Sequence, residues 1–88
     1  MSLRVEWTTK ARRAFERIAD ANPDLAERLR NAVAHLPHTY RTDPQLRQPF
    51  SGYRRHRVGD YRIIYEIIQQ RLVVLIINIG HRREIYDR

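Results

Sequence analysis

Residues 53–67 read "YRRHRVGDYRIIYEI", and the fold depends on how that stretch pairs with itself. Two runs of strand-forming side chains flank Gly59-Asp60, a dipeptide suited to a two-residue hairpin loop. With those residues as the loop, Val58 faces Tyr61, Arg57 faces Arg62 and Arg55 faces Ile64. Directly opposed residues share one side of a sheet, and every second residue joins them. One face then carries Val58, Tyr61, Ile63, Tyr65 and Ile67, and is the face for helices to cover. The other carries Arg55, Arg57, Arg62, Ile64 and Glu66, turned toward solvent. Like charges directly opposed destabilise a sheet, so Arg57 against Arg62 calls for an anionic partner. His56 and Arg54 fall on the covered side, His56 at the edge of the core and Arg54 with its head reaching back to water.

Working outward, the hairpin is followed by a tight turn at Gln69-Gln70 and a third strand, "QRLVVLIINI", over residues 70–79. Upstream, "SLRVEW" alternates Leu3, Val5 and Trp7 with polar residues, the period of a half-buried strand. Thr8 or Thr9 then caps a helix whose apolar stripe is Ala11, Ala14, Phe15, Ile18 and Ala19. "ANPD" breaks it, and Pro23 opens a second helix striped by Leu25, Leu29, Ala32, Val33 and Leu36. Pro37 is expected to end that helix, with a loop from His38 to Gly52 stiffened by Pro44 and Pro49. The expected fold is α+β, one domain over residues 1–88. A mainly antiparallel four-stranded sheet carries two N-terminal helices packed on one face.

The 88 residues suffice for one core, and 42% are apolar. Without cysteine, neither disulfides nor a thiolate metal site can supplement that core. "MSLRVEWTTKARR" lacks the apolar stretch of a signal peptide, and residues 63–79 are broken by Glu66, Gln69, Gln70 and Arg71. A soluble cytoplasmic protein is the expectation. The net charge of +7 predicts a polyanionic partner. Residues 1–44 hold eight basic and six acidic side chains, residues 45–88 nine and four, so the halves carry +2 and +5. All but Lys10 of the 17 basic residues are arginine, whose planar fork matches phosphate oxygens.

Two motifs, R-x-R-V-G-D-Y-R at residues 55–62 and G-H-R-R-E-I-Y at residues 80–86, resemble the RelE/ParE toxin superfamily of toxin–antitoxin pairs. The order of a leading strand, two helices and a basic sheet is also that family's, so the resemblance covers most of the chain. It implies an mRNA interferase that enters the ribosomal A site, cuts the codon there, contacts rRNA and is restrained by a cognate antitoxin protein. It maps basic hairpin residues onto Arg55, Arg57 and Arg62, the arginine after the glycine onto Arg82, and the C-terminal tyrosine onto Tyr86. Some RNases of the family carry lysines where this chain has Arg55 and Arg57. The gyrase-poisoning branch lacks the full basic and tyrosine set, so Arg82 and Tyr86 favour the RNase branch. The rival readings are a gyrase-inhibiting toxin without nuclease activity and a non-catalytic RNA-binding module.

Cutting RNA without a metal uses the 2′-hydroxyl as nucleophile on its own phosphate. One group accepts its proton, another protonates the leaving 5′-oxygen, and cations hold charge on the phosphorane. The four histidines, His35, His38, His56 and His81, are scattered with no paired carboxylates beside them, so no metal or other cofactor is expected. Arg57, Arg62, His81, Arg82 and Tyr86 are the candidate catalytic residues, with Arg62 and Arg82 gripping the scissile phosphate. Arg47, Arg54, Arg55 and Arg83 are the candidate RNA-binding residues. Arginine is too hard to deprotonate to serve as base, which leaves His81, Glu84 or a ribosomal group as proton acceptor. Tyr86 is suited to stacking on a base or to sharing in proton transfer. Gly80 is expected to let the chain turn and bring His81, Arg82 and Tyr86 toward the hairpin arginines.

Overall fold

Thr8 starts the first helix by accepting the Ala11 N–H on its hydroxyl at 3.0 Å, a side-chain N-cap. In the computed structural model, which describes residues 2–47 and 52–85, helix α1 runs Thr9–Ala21. Asn22 ends it by donating its backbone N–H to the Ile18 carbonyl. The same residue begins helix α2, Pro23–Thr39, by accepting the Leu25 N–H on its side chain. Pro23 sits in the first turn, where a missing N–H leaves no helical bond unmade.

Strand β1 (Arg4–Trp7) precedes the helices, and β2 (Arg54–Val58), β3 (Tyr61–Ile68) and β4 (Val73–His81) follow them. The sheet order is β1-β4-β3-β2. Strands β2, β3 and β4 pair antiparallel, whereas β1 lies parallel to β4. The sheet is therefore mixed, which corrects the expected mainly antiparallel one. Alternation marked β1 as a strand without revealing its direction. A helical pair lies between it and the hairpin, long enough a connection for β1 to join β4 in parallel.

The hairpin register is the one read from the sequence: Val58↔Tyr61, Arg57↔Arg62, His56↔Ile63 and Arg55↔Ile64. Gly59 supplies the positive φ (+59°) at the first loop position. Between β3 and β4 the register shifts at Ile64/Tyr65, so Ile64 pairs with Asn78 and Tyr65 with Ile76, a β-bulge. Ile63 and Tyr65, with their partners Ile79 and Ile76, form one core with Ala11, Leu29, Val33 and Leu36 of the helices.

Three boundaries differ from expectation. Helix α2 continues through Pro37 to Thr39, because a proline this close to a helix end disturbs a single turn. The turn after β3 is longer than two residues: a 3-10 turn at Gln69–Arg71, then Leu72 at φ +54°, which delays β4 to Val73. Strand β4 does not turn at Gly80 but runs on through His81 into a one-turn helix α3, Arg82–Ile85. Pro49 lies outside the described residues. Among those described, no helix is long and apolar enough to cross a membrane.

Candidate RNA-cleavage site

The hairpin arginines end up close together but in unlike settings. Arg57 is exposed, and Arg62, directly opposite, is only 7% exposed. This overturns the expectation that Arg62 faces solvent: the face away from α1 and α2 is covered at its centre, and Ile64 on that face is buried too. The Arg62 guanidinium donates to the Gly59 and Tyr61 carbonyls at 3.4 and 3.2 Å, and its Nε has no partner. No carboxylate pairs with it among the described residues. A buried cation held, among the described residues, by two long contacts to neutral carbonyls is poorly satisfied, and a bound anion would complete it.

Arg62 also pairs with Gly80 of β4, and the Arg82 N–H donates to the Asp60 carbonyl in the hairpin loop at 2.8 Å. The start of α3 is thus tied to the hairpin, and Arg57, Arg62 and exposed Arg82 share one end of the sheet. Arg83 and Arg47 are exposed as well, and Arg55 is half-buried beside Ile64.

His81 is placed differently. It pairs with Tyr61 in the register, which puts it on the helix side of the sheet, opposite the Arg57–Arg62 face. Its ring meets Tyr61 edge-on, with centroids 5.5 Å apart. Its Nδ1 accepts the Arg83 backbone N–H at 3.2 Å. A backbone N–H can only donate, so Nδ1 carries no proton in this arrangement and the neutral ring bears it on Nε2. His81 therefore caps α3, and the structure does not bring it to the arginines. Tyr86 and the Glu84 side chain lie outside what the structure describes.

Arg54 does not reach outward. Its guanidinium donates to the Tyr40 and Asp43 carbonyls at 3.3 and 3.0 Å and lies over the Tyr40 ring. Beside it, Asp43 accepts from the Tyr65 hydroxyl at 2.6 Å and contacts His56 Nδ1 at 3.0 Å. Burial, then the Asp43 hydrogen bond and charge, push the Tyr65 phenol far above its ordinary range, so it stays a donor. Strand alternation marks His56 as an edge residue but offers no sign of Asp43, which precedes Pro44 and reads as an ordinary turn residue.

The sequence pattern of the ParE toxin of type II toxin–antitoxin systems (parDE) matches residues 5–86. The chain belongs to this family. No curated protein matches it. Among solved structures it is similar to the toxin–antitoxin complex RelBE2 from Mycobacterium tuberculosis, with 26% identity, TM-score 0.81, and 93% of this chain and 100% of that one covered. It shares its fold with a YoeB/ParE toxin from Agrobacterium tumefaciens (14% identity, TM-score 0.80, 90% and 98% covered). The E. coli RelBE toxin–antitoxin complex has the same fold (14% identity, TM-score 0.71, 92% and 96% covered). In this RelE/ParE-family toxin, arginines standing at one end of the sheet have the chemistry to hold a phosphate and stabilise charge developing on it. Among the described residues no group of three or more His, Cys, Asp or Glu side chains is arranged to hold a metal.

Proposed function

We propose that this toxin is a metal-independent endoribonuclease that cuts mRNA in the ribosomal A site. The observation that carries the reading is Arg62, buried on the sheet without a carboxylate partner among the described residues and opposed by a second arginine. Neither folding nor solubility benefits from that arrangement, whereas a phosphate gripped by both would relieve it. Arg62 and Arg82 hold the scissile phosphate, exchanging the weak carbonyl contacts of Arg62 for phosphate oxygens. Arg57 supports the grip, and Arg55, Arg47 and Arg83 bind flanking phosphates. The 2′-oxygen bonds to phosphorus, the bond to the 5′-oxygen breaks, and that oxygen takes a proton from solvent or Tyr86, so the products carry a 2′,3′-cyclic phosphate and a 5′-hydroxyl. With His81 on the other face, the 2′-hydroxyl proton goes to solvent, to Glu84 or to a ribosomal group. Tyr86 stacks on a base or shares in proton transfer.

The partner that restrains it is a cognate antitoxin, a reading supported by the toxin–antitoxin complexes among its structural relatives. A second reading, gyrase inhibition without nuclease activity, is favoured by the ParE description of the matched family. Purified toxin added to translating ribosomes separates the two. Codon-position cuts with 5′-hydroxyl ends support the nuclease. Loss of gyrase supercoiling with intact mRNA supports the alternative and overturns the first.

A further inference from the structure

Strand β2 has a register problem. It lies at the sheet edge, hydrogen-bonded to β3 alone among the named strands. Its sequence, "RRHRV", contains one apolar residue, and an arginine would stand in nearly the same place after a slip of one residue. Hydrophobic alternation normally fixes register, and it cannot do so here. Repulsion between Arg57 and Arg62 loosens the pairing further. Yet a slip of one residue would turn Arg55 and Arg57 to the helix side.

The Gly59-Asp60 loop sets the register at one end of the pair, and what holds the rest of β2 to it is on the opposite face. Arg54 and His56, the alternate residues, are both fixed there by the segment that follows α2. Arg54 binds the Tyr40 and Asp43 carbonyls, and His56 Nδ1 meets both Asp43 carboxylate oxygens at 3.0 and 3.1 Å. The Tyr65 hydroxyl completes the group, and Tyr65 is the cross-strand partner of Arg54. Asp43 thus bonds side chains from both strands of one register pair and its neighbour. The backbone follows it, through Arg55 N–H to Pro44 O at 3.2 Å and Leu46 N–H to Tyr53 O at 2.9 Å. Its side chain is 11% exposed, and Tyr65 is fully buried. A slipped strand would carry His56 away and break both contacts of its Nδ1 with the carboxylate, together with the Arg54 bonds to the Tyr40 and Asp43 carbonyls.

We propose that Asp43 is a positioning residue: with His56, Tyr65 and Arg54 it locks β2 in register, and so presents Arg55 and Arg57 as phosphate contacts. The phosphate role rests on the nuclease reading above; the lock itself does not.

The test is the salt dependence of binding to a single-stranded oligoribonucleotide, because the slope of log K against log[salt] counts phosphates at about 0.7 each. Asp43→Ala is expected to lower the slope by ~1.4, the loss of two contacts. Arg55→Gln with Arg57→Gln should give the same drop, and adding Asp43→Ala to that pair should lower it no further. If Asp43 only supports the fold, the variant melts earlier but its folded fraction keeps the wild-type slope, and the proposal is overturned. Should Asp43→Ala not fold, His56→Ala takes its place, with a smaller drop expected. Cross-strand proton contacts between residues 57 and 62 and between 55 and 64 give a readout free of RNA. Their loss in the variant supports the lock even if the wild type binds no RNA, and their persistence refutes it.

Discussion

Arg62→Met is the most informative single substitution, because the structure predicts opposite effects on stability and activity. Methionine keeps a flexible stem that ends near the Nε position and removes the charge. The loss is two hydrogen bonds, at 3.2 and 3.4 Å, to carbonyls at the hairpin end, each at the weak limit of the geometry. Set against this are two gains. The like-charge pairing with Arg57 goes, worth about 0.2–1 kcal/mol. The unpartnered, desolvated Nε of a buried guanidinium goes too, relieving about 1–3 kcal/mol. After the lost bonds, a net stabilisation of roughly 1–2 kcal/mol is expected, or about 4–16 °C in melting temperature for a domain of this size. Single-turnover cleavage on ribosomes should fall at least ~10-fold, equivalent to ~1.4 kcal/mol of transition-state stabilisation. Calorimetry and a cleavage time course on one preparation decide it. A variant that melts lower refutes the argument that the charge is unsatisfied, and one that cuts at the wild-type rate refutes the phosphate grip.

Tyr65→Phe should change alkaline behaviour. The buried phenol is held protonated in the folded state while the unfolded one titrates near 10. Above that pH the unfolded state binds fewer protons, so wild-type stability falls by up to ~1.4 kcal/mol per pH unit, and the phenylalanine variant lacks this one-proton share. Denaturant midpoints between pH 8 and pH 11 (about one unit past the phenol's reference value) test it, and equal slopes would show that Tyr65 titrates normally. His81→Asn keeps an acceptor for the Arg83 N–H and should cut RNA at close to the wild-type rate, whereas His81→Gln loses the cap, worth about 0.5–2 kcal/mol of helix stability. The reverse ranking in a cleavage assay would mean that the distal nitrogen takes part in the chemistry. Leu29→Ala, at a fully buried position, should destabilise by about 2–5 kcal/mol, read as a lower denaturant midpoint; a shift below 1 kcal/mol would show that the core is not organised around α2.

The hairpin was legible because Gly59-Asp60 leaves one sensible loop, and from the loop the register follows by counting. That count placed Arg57 opposite Arg62 and His56 on the helix side. The helices were legible from Thr8, Asn22 and Pro23, whose capping chemistry is local. Long-range relations were not. The direction of β1 is decided by its pairing with β4, some seventy residues on, and nothing in "RVEW" encodes it. The burial of Arg62 depends on what covers the far face, which alternation treats as solvent. The turn expected at Gly80 failed because β4 has a partner, Arg62, at that position and continues to His81. One added residue puts His81 on the side of Tyr61.

That last shift bears on mechanism. The reading of His81 as base assumed that nearness in sequence to Arg82 meant a shared face. At a strand end, successive residues point to opposite sides, so His81 and Gly80 cannot both join the arginines. Gly80 is the one that does, and it brings no side chain. What His81 contributes is the start of α3: its ring rests on Tyr61, and its Nδ1 holds the Arg83 N–H while the Arg82 N–H is held by Asp60. Arg82 is thus fixed from two sides, by Asp60 just before β3 and by His81 at the end of β4. On the other side of the hairpin, Asp43 fixes Arg54 and His56, and through them Arg55 between the two and Arg57 beyond. In both places the inward-facing residue orders the outward-facing one. A cluster of guanidinium groups repels itself, so each member has to be held from behind, and the residues that hold it are those whose spacing in the sequence looks least like a site.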